Sequence, residues 1–134
     1  MKEWNIQSNN RIAVKNPNNK IQIDDYLVCS PGLLTLGLEL AGLKSMHDWK
    51  ESMLLFTITN VVVSSVVSPI KYITKEDRPD QTSLHSFPSG HTSIAFASAE
   101  FARIEYRNHP WVGILGYSMA ATTGYLRMYN NRHW

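Results

Sequence analysis

Three stretches of the chain carry no charged residue: Tyr26 to Leu38, Met53 to Ile70 and Trp111 to Leu126. Polar, turn-forming sequence separates them, and residues 1–25 hold six Asn and seven charged residues. A first helix is expected over about Asp25 to Leu43, with Asp24 as N-cap, Gly42 near its end and Pro31 kinking or delaying it. A second is expected over about Trp49 to Tyr72. Its Val61-Val62-Val63 and Val66-Val67 runs favour strand by propensity. The uncharged part alone is 18 residues, unusually long for a strand, and length decides for helix. Residues 75–90 carry Pro, Gly, Ser and Asp without an apolar period and read as a loop. A third helix is expected over about Ser89 to Tyr106, stopped by Asn108-His109-Pro110. A fourth follows over about Trp111 to Met128, with Pro110 just before it.

The expected fold is therefore all-α, an up-and-down bundle of about four helices. Alternation brings distant residues together. The loop between the second and third helices lies at one end, and the fourth helix returns to that end. Residues 71–91 and 127–133 then share one face.

Composition narrows the picture. The 134 residues make one domain or part of one. A net charge of +2 argues against a nucleic-acid partner held by a basic face. Cys29 stands alone, which rules out an internal disulfide and a cysteine-only metal site. Charged residues are 18% of the chain, against about 25% in an average domain. Met53 to Ile70 has the length of a membrane span. Thr57, Thr59, Asn60, Ser64, Ser65 and Ser68 dilute it, and the mean hydropathy of -0.24 is low for a chain with several spans. The same segments would also suit core helices of a soluble bundle. A membrane-embedded bundle is the preferred expectation. The first 25 residues lack the apolar core of a secretory signal.

The shared face carries the candidate chemistry. Lys71 and Arg78 flank a polar loop, Pro88-Ser89-Gly90-His91 opens the third helix, and Arg127 precedes His133. Helix N-termini offer free N–H groups to a phosphate, glycine allows close approach, and arginine supplies forked donors. Taken singly, each residue has a plainer reading. Lys71 would complement a helix C-terminus, Arg78 would be a solvated loop residue, and Ser89 would be an N-cap. His91 would be exposed, Arg127 an interfacial anchor, and His133 an idle residue near a chain end.

Their joint spacing decides against that. Lys71-x6-Arg78-Pro79, Pro88-Ser89-Gly90-His91 and Arg127-x5-His133 resemble the three-part signature of the type 2 phosphatidic acid phosphatase family. Bacterial acid phosphatases and vanadium haloperoxidases share that superfamily. Gly124 to Arg127 with Arg132-His133-Trp134 looks like the bacterial lipid-phosphatase branch. The resemblance covers residues 71–134. It implies a partial helical phosphatase domain over residues 25–134, preceded by a tail over residues 1–24 that is polar by composition. The family usually has Ser where this chain has Leu126, and an Asp four positions after the second His, beyond Trp134. The expectation is a chain cut inside its third motif, with the last core helix missing. Such a chain would bind phosphate or vanadate weakly and turn over little.

By resemblance, the reaction is hydrolysis of a phosphate monoester or pyrophosphate through a phosphohistidine. His133 would be the nucleophile and His91 the proton donor to the leaving oxygen. Lys71, Arg78, Ser89, Gly90 and Arg127 would hold the phosphoryl oxygens. No metal or other cofactor is expected; Glu76, Asp77 and Asp80 are loop acids beside cations. Apolar helices ending at a cationic pocket suit a lipid phosphate. Phosphatidate, diacylglycerol pyrophosphate, undecaprenyl pyrophosphate and lipid A phosphates all stay open. The resemblance implies a bacterial envelope membrane with the site facing the periplasm or exterior, although the cations on the catalytic side do not follow that orientation. Two alternatives stand: a non-catalytic bundle protein or inactive fragment, and a vanadate-dependent haloperoxidase.

Overall fold

The structure is a computed structural model that describes residues 7, 11, 12, 23–76 and 86–130. Among the described residues it is all-α. A helical turn at Asp24–Leu27 leads into α1 (Ser30–Leu40), followed by α2 (Trp49–Thr74), α3 (Gly90–Glu105) and α4 (Pro110–Tyr129). The four expected helices are all present. The first is split: Pro31 sits within the first turn of α1, where its missing N–H removes no helical bond, so the chain breaks at Val28-Cys29 and restarts. The N-cap of the short turn is Ile23 rather than Asp24. The expected tail over residues 1–24 falls almost entirely outside the described residues.

α1 ends where Gly42 takes a φ of 84°. Its N–H donates to Glu39 O at 2.9 Å, and Leu43 N–H donates to Leu38 O at 3.0 Å. That is a Schellman stop, which brings two leucines together across the helix end. Leu38 and Leu43 both pack on the cluster of Ala102, Tyr106 and Val112.

α3 is the central helix and touches α1, α2 and α4. Its largest interface is with α4, and small residues make it. Ala95, Ala99 and Ala120 form a fully buried cluster, and a Cβ on Gly116 would stand 3.2 Å from Ala99 Cα. The two helices run antiparallel: Gly113 meets Arg103, Gly116 meets Ala99 and Gly124 meets Thr92. α2 packs on α3 through an edge-to-face pair, Phe56 and Phe101, with ring centroids 5.5 Å apart.

The helices differ in what they show to the surroundings. α2 has 26 residues and Ser52 is its only buried one. Its length is about 39 Å at 1.5 Å per residue, enough to cross a hydrocarbon core of about 30 Å. Leu54, Ile58, Val61, Val62 and Val66 are exposed along it. By length and composition it is the one such helix among the described residues. α3 instead carries an exposed ion pair, with Arg103 donating to both oxygens of Glu100 at 2.7 Å and Tyr117 of α4 adding a third bond at 2.6 Å. Charges of that kind are costly against hydrocarbon.

At the end of the bundle formed by the α1–α2 loop, Glu105 is 2% exposed. It accepts from His47 N–H at 2.9 Å and Ser52 Oγ at 2.8 Å, and pairs with His47 Nδ1 at 3.0 Å. Burial pushes its carboxyl pKa up, but the bonds from the His47 ring, Ser52 and the His47 N–H together outweigh burial and hold it below the ordinary 4.5. The bond to Glu105 raises His47 above its ordinary 6.5, with Glu51 adding a smaller attraction. The carboxylate therefore stabilises the fold above pH 4.5 and loses that contribution as pH falls through its lowered value. The imidazole stabilises it fully below pH 6.5 and loses that contribution as pH rises through its raised value. The gap in melting temperature between the protein and its His47→Asn variant should be widest between pH 4.5 and 6.5. It should narrow on both sides; a gap that does not vary with pH would show that the pair does not titrate with folding.

Candidate active site

The opposite end of the bundle gathers the candidate chemistry. Two bonds close the base of the α2–α3 connection: Ser86 N–H donates to Glu76 O at 2.8 Å, and Thr74 Oγ1 donates to Phe87 O at 2.6 Å. They bring the last turn of α2, with Lys71, beside the first turn of α3. A Cβ built on Gly90 would stand 3.7 Å from Lys71 Nζ. The glycine keeps the space beside the ammonium clear.

Ser89 is the N-cap of α3, with extended backbone angles of φ -73° and ψ 114°. Its Oγ accepts from Thr92 N–H at 3.4 Å and Thr92 Oγ1 at 3.0 Å. Its carbonyl accepts from Ser93 N–H and Ser93 Oγ, both at 2.9 Å. The N–H groups of Ser89 and Gly90 have no acceptor within the helix, as at any helix start. The positive end of the helix dipole adds to Lys71 at the same point.

α4 supplies the third component. Its buried stripe runs Gly113, Gly116, Ala120, Thr123, Arg127. The spacing of three and four keeps these residues on the face toward α3. The small members let the helices approach, and the stripe ends on an arginine only 3% exposed. Arg127 lines a cavity of about 320 Å³ together with Ser89, Thr92, Gly124, Phe87 and Met128. A guanidinium carries forked donors that match two oxygens of one tetrahedral anion.

The structure thus brings together Lys71, Ser89, Gly90 and Arg127. His91 is the second residue of α3 and is half-buried. Arg78 and His133 lie outside the described residues, as do Asp77 and Asp80. Among the described residues, no three His, Cys, Asp or Glu side chains group closely enough to hold a metal ion. Sequence reasoning missed Thr92, Gly124 and Phe87 as neighbours of the site. Two of them had a signal: Thr92 is three residues past the N-cap, and Gly124 three before Arg127.

A curated relative, the lipid A 1-phosphatase of Porphyromonas gingivalis, is 34% identical over 115 residues. That stretch is 84% of this chain but only 26% of the relative, so the chain spans about a quarter of that protein's length. No solved structure matches the chain significantly. The family model for the PAP2 superfamily matches residues 51–134, which takes in all but the first two residues of α2, the whole of α3 and α4, and every candidate site residue. The chain belongs to the PAP2 superfamily.

Proposed function

We propose that the protein is a membrane-bound bacterial phosphatase that hydrolyses a phosphate monoester on a lipid, with a lipid A phosphate the favoured substrate. The observation that carries this reading is the meeting of three anion-binding elements in one place. The capped N-terminus of α3 and buried Arg127 of α4 line one cavity, and Lys71 of α2 stands beside Gly90 in the first turn of α3. The named activity of the 34%-identical relative supports the choice of lipid. Exposed apolar α2 supports the membrane, as do exposed Trp49 and Trp111 near one end of the bundle and Tyr72, Phe87 and Tyr125 near the other. Aromatic rings of this kind favour the two interfaces of a bilayer. The family resemblance supports a site on the outer side of that membrane.

In this reading His133 attacks phosphorus in line. The bond from phosphorus to the ester oxygen breaks, and His91 gives that oxygen its proton. Water then attacks the phosphohistidine, returns a proton to His91 and frees phosphate and His133. Lys71, Arg78 and Arg127 hold the equatorial oxygens with the Ser89 and Gly90 N–H groups. Charge stabilisation of this sort is most of what phosphoryl transfer asks of a protein, and it proceeds here without a metal.

The test is phosphate release from a lipid phosphomonoester in detergent micelles by the full-length protein, with any residues that follow Trp134 in place. Turnover should survive excess EDTA, and vanadate should inhibit more strongly than phosphate because its five-coordinate form mimics the transferring group. Loss of turnover in EDTA with recovery in Mg²⁺ would refute the metal-free site. His91→Ala should slow the lipid substrate far more than an activated aryl phosphate, whose leaving group needs little protonation. Equal losses on both would remove His91 from the acid role.

A further inference from the structure

We propose that Thr92 is a positioning residue for the transferred phosphoryl group, acting by fixing the hydroxyl of Ser89 as a donor into the cavity. The inference rests on the phosphatase reading above and adds a residue to it. A serine hydroxyl has one hydrogen to give and two lone pairs to fill. At Ser89 both lone pairs are used by the same residue: Thr92 N–H at 3.4 Å and Thr92 Oγ1 at 3.0 Å. An ordinary N-cap accepts one bond, from the backbone N–H. The second bond, from the Thr92 hydroxyl, leaves Ser89 only the capacity to donate. No described residue accepts its hydrogen. Ser89 and Thr92 both line the 320 Å³ cavity that holds Arg127, so an anionic oxygen there is the natural acceptor.

The Thr92 side chain is itself held. A Cβ on Gly124 would stand 3.3 Å from Thr92 Cγ2 and 3.8 Å from its Oγ1. The absence of a side chain at Gly124 lets α4 seat against the threonine methyl. With the methyl against Gly124, Oγ1 lies 3.0 Å from Ser89 Oγ. The same contact sets the first turn of α3 against the turn of α4 that ends on Arg127. One residue therefore links the hydroxyl donor of α3 to the guanidinium of α4.

The experiment is vanadate and orthophosphate titration of the protein in micelles, with melting curves recorded for each variant. Thr92→Val keeps the shape and the backbone cap but removes the hydroxyl. It should weaken both anions about tenfold, the size of one hydrogen bond to a charged group. Ser89→Ala should cost about the same, and the double variant should cost no more than either alone, because both act through one bond. Thr92→Ser keeps the hydroxyl and should recover most of the affinity. Gly124→Ala should weaken binding by crowding the methyl, and adding Thr92→Ser should relieve it. Wild-type affinity in Thr92→Val, failure of Thr92→Ser to recover it, or additive losses in the double variant would overturn the role of Thr92 while leaving the phosphatase reading intact. A wild-type protein that binds neither anion would overturn that reading, and the role of Thr92 with it.

Discussion

In the full-length protein, Arg127→Ala should lower kcat/KM for a lipid phosphate by about 10²–10³-fold, the usual effect of removing one donor aimed at charge that develops in a transition state. The size follows from placement. Arg127 is 3% exposed, at the end of the small-residue stripe of α4. Water screens it poorly there, and its charge acts on a bound phosphoryl group at close to full strength. The loss should appear in kcat as well as KM, since the transferring group is more demanding of donors in the transition state than in the ester. Arg127→Lys should recover only part, because an ammonium cannot meet two oxygens at fixed spacing. Truncation also leaves a gap beside Met128 and Gly124, so a melting curve must accompany the assay. Turnover near wild type in a well-folded Arg127→Ala protein would show that α4 does not contribute to the site.

The largest effect on stability is expected at Gly116→Leu. Even a methyl there would stand 3.2 Å from Ala99 Cα, 3.3 Å from its Cβ and 3.5 Å from its carbonyl oxygen. Those atoms belong to the α3 backbone and to a side chain with no rotamer to change. The helices must separate along their main interface. Overpacking a well-filled core costs about 1–3 kcal/mol, and leucine at a backbone-to-backbone contact belongs at the upper end. The melting temperature should fall by about 10 °C or more. Gly37→Ala is the contrast: Gly37 is exposed, and a Cβ there meets nothing within 4 Å. There the better helix former should stabilise by up to about 1 kcal/mol. Similar effects from both substitutions would mean that the α3–α4 contact is looser than described. Because Arg127 lies on the same stripe as Gly116, a Gly116 variant that still folds should also bind vanadate less well.

Much of this was legible in the residues alone. The four helices follow from the three uncharged stretches and from local stops, Gly42 after α1 and Asn108-His109-Pro110 after α3, because capping and proline geometry are local physics. Family membership was legible too, from the order and spacing of Lys71, Ser89-Gly90-His91 and Arg127. What escaped was side-chain partnership across helices. Nothing in the local sequence marks Glu105 as the acceptor for His47 and Ser52, more than fifty residues away. The Gly113, Gly116, Ala120, Thr123 stripe was present as a period, yet small residues carry no hydrophobic signal strong enough to announce an interface.

The sequence by itself determined the helical segments, the length and apolar character of α2, the residue types of the candidate site and the family. Those depend on intrinsic propensity, on periodicity and on motif spacing, all of which are properties of neighbours along the chain. Only the tertiary structure decided that Arg127 is buried rather than an interfacial anchor, that Lys71 stands over Gly90, and that the methyl of Thr92 seats against Gly124. Each of these turns on how closely α3 approaches α2 and α4. Between α3 and α4 that distance is set by the absence of side chains at Gly116 and Gly124, a steric fact that exists only once two helices are pressed together.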